Sequence, residues 1–375
     1  MIRLTLLIIL FLASLLNLFD APAYYFWLLA IMVSEFPVIF AGVTVAITAS
    51  GYWPQKYRTA GTILGIVTFL LFISPIIRSF IISRSIKIEM QAAFGSRTIL
   101  ATESSAFKLG KLFKFSDSVI AYQSLVYKTY PGISLTLDYY PSQQPGTRPC
   151  VIVIHGGSWS SGNSKQLPEL NSYLAKRGYN VASVNYRLAP DYQNPAPVED
   201  VKAALNYLRQ NAGNFHIDTN KFVLLGRSAG AQIVLLAAYT LHHSSLKGVI
   251  DFYGPADMVW GYSLPANPWV MDSRAVMHRY LGGPYNKVPQ NYVASSPIEF
   301  VDKQSPPTLI IHGANDVLVA YEHSRRLNDK LQQNGIKHYW LKLPWATHGF
   351  DYNLNGPGGQ LSTYAVETFL NTVTQ

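Results

Sequence analysis

The stretch FVLLGRSAGAQIVLLAAYT, residues 222–240, sets a short apolar run against a Gly-x-Ser-x-Gly and then a second run of small and apolar residues. Two readings compete. In the plainer one, Gly226 and Gly230 merely permit a strand–turn–helix connection. In the other, the turn is a nucleophile elbow that presents Ser228 for attack on a carbonyl. The motif is too short to decide between them. The rest of the chain has to do so.

Outward from the elbow, strand and helix patterns alternate. ISLTLDYYP (133–141) alternates like an edge strand. CVIVIHGG (150–157) is a short continuous apolar run of the buried parallel-strand type. NVASVNYR (180–187), KFVLLG (221–226), LKGVIDFYG (246–254), PTLIIHG (307–313) and KHYWLKLP (337–344) read as further strands. ELNSYLAKRGY, VEDVKAALNYLRQNA, YEHSRRLNDKLQQNG and GGQLSTYAVETFLNTVT read as helices. Such alternation predicts an α/β domain, a mostly parallel sheet with helices on both faces. Ligands of such sheets sit beyond the carboxyl ends of the strands.

The chemically distinctive residues fall there. After one strand comes His155-Gly156-Gly157-Ser158-Trp159, after another Gly226-Arg227-Ser228-Ala229-Gly230. Asp316 follows a third, and His348-Gly349-Phe350 a fourth. A serine hydroxyl is a poor nucleophile until an imidazole takes its proton. The imidazole needs a carboxylate to fix its tautomer. The oxyanion that forms needs N–H donors, and glycines leave those donors unobstructed. Ser228, Asp316 and His348 would be the catalytic trio, with the N–H groups of Gly156, Gly157 and Ala229 as the oxyanion hole. The chain order Ser, Asp, His is that of α/β-hydrolases.

On HGGSW (155–159), NYRLAP (185–190), GRSAG (226–230), HGANDVLV (312–319) and THGF (347–350), residues 118–375 resemble α/β-hydrolase serine carboxylesterases of the hormone-sensitive-lipase-like and BD-FAE-like groups. HGGSW departs from the three-glycine loop of many lipases. It is closer to the His-Gly-Gly-x-Trp form of kynurenine formamidase and isoprenylcysteine methylesterase relatives. The resemblance implies ester hydrolysis through an acyl-enzyme without a cofactor. Two alternatives share the fold: a serine peptidase of the prolyl-oligopeptidase type, and a non-catalytic membrane protein.

Other candidates have plainer readings. His155 and His312 suit an orienting hydrogen bond better than proton transfer. Asp257 is a rival acid; Asp251 comes too early for the acid loop, and Asp200 suits a helix N-terminus. His242-His243 lacks partners at metal-ligand spacing, so no metal is expected. An aromatic-rich insertion at about 255–300 is long for a plain connection and is expected to cap an acyl pocket. Trp159, Tyr186, Trp260 and Trp269 are its expected lining.

The N-terminal part is different. The chain has 375 residues, of which 49% are hydrophobic and only 14% charged. Uncharged or nearly uncharged runs at about 4–19, 24–47 and 60–80 are each near the ~20 residues that cross a bilayer. Residues 1–83 therefore read as about three transmembrane helices and 84–117 as a connector. Tyr24, Tyr25, Trp27, Tyr52 and Trp53 stand near the ends, as interfacial aromatics do. Glu35 inside a span is read as facing other helices, protonated or hydrogen-bonded. Thirty Lys and Arg against 21 Asp and Glu give a net charge of +9. No nucleic-acid motif accompanies it, so the membrane and a small or lipophilic ester are the expected partners. A single cysteine, Cys150, excludes intrachain disulfides. Arg3, Lys56 and Arg58 place the N-terminus in the cytoplasm and the catalytic domain outside; Arg78, Arg84 and Lys87 weigh the other way. The composition leaves the oligomeric state open.

Overall fold

The computed structural model describes residues 1–52, 56–95, 97–114 and 118–375. Trp53 and the connector's residues 115–117 lie outside the described residues. The described strands are β1 (Gln123–Tyr130), β2 (Ile133–Tyr140), β3 (Arg148–Ile154), β4 (Asn180–Val184), β5 (Ile217–Arg227), β6 (Leu246–Phe252), β7 (Thr308–Gly313) and β8 (His338–Leu343). They form one sheet in the order β1-β2-β4-β3-β5-β6-β7-β8. β2 is antiparallel to both β1 and β4, and every other pairing is parallel. The true edge is β1, so ISLTLDYYP is an inner strand of a hairpin closed at Pro131-Gly132.

The continuous apolar runs follow from burial on both faces. Ile152, Ile154 and Leu224 face one core, while their neighbours Val151, Val153, Val223 and Leu225 face the other. The first core is covered by α6 (Ala196–Gln210) and α8 (Ala229–Leu241). The second is covered by α5 (Pro168–Lys176) and α13 (Pro357–Val373). Between β6 and β7 lie α9 (Met258–Ser263), α10 (Ser273–Leu281) and α11 (Pro289–Ala294). Helix α12 (Glu322–Gln333) joins β7 to β8, and α7 (Ala212–Phe215) is a single turn before β5.

Four helices precede the sheet: α1 (Ile2–Ser14), α2 (Tyr24–Glu35), α3 (Pro37–Ala49) and α4 (Arg58–Phe94). They depart from three successive spans. The 13 residues of α1 reach only ~20 Å at 1.5 Å per residue, short of a ~30 Å hydrocarbon core. The second apolar run is two helices bent by 87° at Phe36. Pro37 disfavours helical geometry at the preceding residue and suits the first position of a new helix. Phe36 has φ −123° and ψ 44°. Among the described residues, only α4 is by itself long and apolar enough to cross a membrane.

Helix α4 also ignores the expected boundary near residue 83. Its first half exposes Ile63, Ile66 and Leu70, and Ile81 is exposed a few turns further on. Its last turns bury Ile86, Met90 and Phe94 in the core shared with Val151 and Phe369. Glu89 accepts a hydrogen bond from Tyr339 Oη at 2.7 Å. Glu35 binds the sheet domain as well. Its carboxylate accepts from the N–H of Gly358 at 2.9 Å and of Gly359 at 3.4 Å, at the start of α13. These N–H groups belong to the first turn of α13 and have no partner inside the helix, so the Glu35 side chain caps it.

Candidate active site

The elbow forms because β5 ends on Gly226 and α8 starts on Ala229 with no room between. A Cβ on Gly226 would lie 2.3 Å from the Gly230 carbonyl oxygen, and one on Gly230 would lie 2.3 Å from that of Ile154. Ser228 is held at φ 54°, ψ −122°, a conformation that a non-glycine residue keeps only under constraint from its surroundings. Ser158, Trp159 and Tyr253 also have positive φ, at 53°, 59° and 46°. All three stand around Ser228 or His348, the kind of place where strain gathers at functional sites.

Asp316 and His348 meet beyond β7 and β8. His348 Nδ1 lies 2.7 Å from Asp316 Oδ2. The same oxygen is 3.1 Å from His312 Nε2, while Oδ1 accepts from the N–H groups of Leu318 and Val319, both at 2.9 Å. Burial alone would raise the Asp316 carboxyl. The charge and hydrogen bonds of His348 and His312 outweigh it and hold Asp316 well below the usual carboxylate range. His312 is thus an orienting group, fixed on its other side by Ser324 Oγ at 2.6 Å from Nδ1. Ser228 and Asp316 line one cavity of about 410 Å³. Ser228 and His348 are not hydrogen-bonded to each other, and such contacts often tighten only with substrate bound.

Arg227, between Gly226 and Ser228 of the elbow, makes a buried contact that no local pattern signals. It is buried, and its Nε donates to Asp351 Oδ2 at 2.5 Å. Tyr253 Oη donates to Asp351 Oδ1 at 2.5 Å, and the Tyr253 ring packs 4.3 Å from that of His348. The elbow and the histidine loop are therefore tied through one buried ion pair. Arg227→Met strands the Asp351 charge and is expected to cost about 3–5 kcal/mol. Arg227→Met with Asp351→Leu should recover most of that loss in urea unfolding. A single variant within about 1 kcal/mol of wild type would contradict this reading.

The oxyanion loop departs from expectation at one position. The Gly156 N–H donates to Gln166 Oε1 at 2.8 Å, so it is already engaged. The N–H groups of Gly157 and Ala229 have no acceptor among the described residues. His155 Nδ1 is 2.7 Å from the Gly156 carbonyl, and its ring stacks on Tyr186 at 4.4 Å. Burial pulls its pKa down to about 4, so the ring is neutral and structural.

The expected aromatic pocket is mostly corrected. Trp159 lines the cavity, with its ring stacked on Tyr280 and Nε1 bonded to Gln232 at 2.9 Å. Tyr186 does not line it, because its ring lies against His155. Trp260 turns toward His323 and Arg326. Trp269 is 79% exposed. The lining instead includes Met258, Met271 and Met277, and Asp20, Ala21 and Pro22 from the N-terminal helical part. Trp27 Nε1 donates to the His348 carbonyl at 3.0 Å. Nothing in local spacing signals these contacts.

The rival acids have other partners. Asp257 caps α9 through Trp260 N–H at 2.9 Å and pairs with Arg326 at 2.8 Å. Asp200 holds Arg187 at 2.9 Å. Asp251 accepts from Gly254 N–H at 2.7 Å, and burial raises its pKa to about 7. The folded-state pKa lies above the unfolded value, so this group's contribution is full below about pH 4 and is lost as pH rises through about 7. Asp251→Asn should flatten the fall in thermal midpoint between pH 5 and pH 8. A fall as steep as that of wild type would rule this out.

The strand order, the elbow between β5 and α8, and the acid and histidine beyond β7 and β8 define an α/β-hydrolase. Residues 137–331 match the BD-FAE family, and the chain belongs to it. It is 30% identical over 256 residues to Esterase LipC of Mycobacterium tuberculosis, covering 63% of this chain and 62% of LipC. It is 26% identical over 247 residues to the isoprenylcysteine alpha-carbonyl methylesterase ICME of Arabidopsis thaliana, covering 60% of this chain and 56% of that protein. The chain thus spans under two thirds of the length of these relatives. Among solved structures, the native thermophilic esterase Est2 of Thermogutta terrifontis superposes with a TM-score of 0.54 at 23% identity, over 66% of this chain and 89% of that one. This last likeness concerns the fold.

Proposed function

We propose that the protein is a membrane-anchored serine hydrolase that cleaves carboxylic esters through an acyl-enzyme. The observation that carries this reading is the constrained Ser228, lining one cavity with the Asp316 that holds His348. Ser228 Oγ attacks the ester carbonyl carbon while His348 Nε2 takes the hydroxyl proton. The oxyanion accepts hydrogen bonds from Gly157 and Ala229 N–H. The bond to the alcohol oxygen breaks, and His348 returns the proton to that oxygen. Water then attacks the acyl-enzyme carbon, giving a proton to His348, which returns it to Ser228 Oγ as the acyl–oxygen bond breaks and the acid leaves. Asp316 keeps the proton on Nδ1 so that Nε2 can act as base. The esterase relatives support this chemistry. A fluorophosphonate probe should label the folded protein at Ser228, read by peptide mass spectrometry. Folded protein that takes no label would overturn the proposal.

The anchor is α4, with the exposed apolar faces of α1 and α3 beside it. Apolar surface of this extent marks a membrane or partner site. Arg3 donates to the carbonyls of Ile47, Thr48 and Arg58, so the basic residues Arg3 and Arg58 gather at one end of the helices. That end is assigned to the cytoplasm and the catalytic domain to the other side. Protease added to intact spheroplasts should digest the catalytic domain. Protection until lysis would reverse the orientation.

A further inference from the structure

The catalytic cavity is incomplete without the N-terminal helices. Its mouth is made by Asp20–Pro22, ahead of α2, and by the 264–271 segment between β6 and β7. The two are pinned together: Asn267 Nδ2 donates to the Pro22 carbonyl at 3.0 Å, and Tyr24 N–H to that of Trp269 at 3.1 Å. Val317, next to Asp316 in the acid loop, packs on the cluster of Leu16, Ala21 and Phe72. The apolar helices and the catalytic site thus share a wall.

Two further features say what enters. Three of the chain's six methionines, Met258, Met271 and Met277, line the cavity. Methionine is flexible and polarisable, and it suits a chain of many conformations better than a rigid aromatic acid. Large apolar side chains stand exposed on the mouth's two segments and beside them: Phe19, Tyr25, Leu264 and Trp269. Helices α1 and α3 also expose apolar side chains, among them Ile8, Ile9, Leu12, Ile39 and Val45. Asp20 places a carboxylate at the mouth, which disfavours an anionic group there.

We propose that the site takes a neutral, long-chain aliphatic ester directly from the bilayer, through the mouth formed by Asp20–Pro22 and Leu264–Met271. The proposal rests on the esterase reading and on membrane residence. The lipid tail passes from the leaflet over the rim into the methionine-lined cavity, and the ester carbonyl arrives at Ser228 without crossing water.

The test uses the full chain reconstituted in phosphatidylcholine vesicles. p-Nitrophenyl palmitate is presented either in the same vesicles or in separate ones, with p-nitrophenyl acetate in solution as the reference. Shared-vesicle palmitate should turn over about tenfold or more faster than separate-vesicle palmitate, through effective concentration. The paired variant Leu264→Ser with Trp269→Ser should lower the palmitate-to-acetate ratio in shared vesicles by about tenfold, since the rim then buries less apolar surface. Equal palmitate rates from both vesicle populations, or an unchanged ratio in the variant, overturns the bilayer route while leaving the esterase reading intact. A chain that fails to float with vesicles overturns it also. Absence of acetate turnover overturns the esterase reading, and the route with it.

Discussion

Replacing Ser228 with alanine is expected to lower turnover of a short p-nitrophenyl ester by about 10⁴- to 10⁶-fold, with the thermal midpoint little changed. In the proposed mechanism the hydroxyl oxygen is the atom that forms the acyl-enzyme, and alanine has nothing to put in its place. Gly157 and Ala229 would still offer their N–H groups to a carbonyl, and the cavity would still bind the substrate. A residual rate above the uncatalysed reaction should therefore persist, as it does when triads elsewhere lose their nucleophile. KM should change much less than kcat, because the hydroxyl contributes to the transition state more than to binding. A variant that keeps more than about a hundredth of the wild-type rate would remove Ser228 from the mechanism.

The central sheet could be read because parallel strands buried on both faces need continuous apolar runs, and CVIVI and FVLL are such runs. The catalytic candidates could be read because the chemistry restricts residue types at the ends of those strands. β1 is hard to read because its side chains are mostly exposed and its apolar stretch is only Leu125–Tyr127, although Pro131-Gly132 marks the turn that pairs it with β2. Pro37 and Glu35 were visible as interruptions. The break at Pro37 is local and legible, whereas the contact of Glu35 with α13 depends on residues more than 300 positions away. The pocket lining is illegible for a related reason. Composition counts tryptophans but does not say which way they point. Trp260 faces Arg326 and Trp269 faces outward, while the methionines of the same segment turn inward. The Asp20–Pro22 wall joins segments 245 positions apart through Asn267, and no local pattern encodes that.

Asp316→Asn should preserve the fold and still lower kcat by about 10³- to 10⁴-fold. The side chain is completely buried and makes contacts on both oxygens. Leu318 and Val319 N–H both donate to Oδ1, so an asparagine is best satisfied by keeping its carbonyl oxygen there. Its NH₂ then faces His348 Nδ1 and His312 Nε2, where Asp316 has an acceptor. His348 must accept at Nδ1, which moves the ring proton to Nε2 and leaves no lone pair for the Ser228 proton. The imidazolium that would form in the transition state also loses its counter-charge. The rival acid gives the control. Asp257 is occupied by Arg326 and the start of α9, so Asp257→Asn should change kcat less than about threefold, in line with a partly exposed ion pair. Steady-state kinetics on the two variants, with thermal melts to verify folding, separate the assignments. A strong loss in Asp257→Asn together with a weak one in Asp316→Asn would transfer the acid role to the segment after β6.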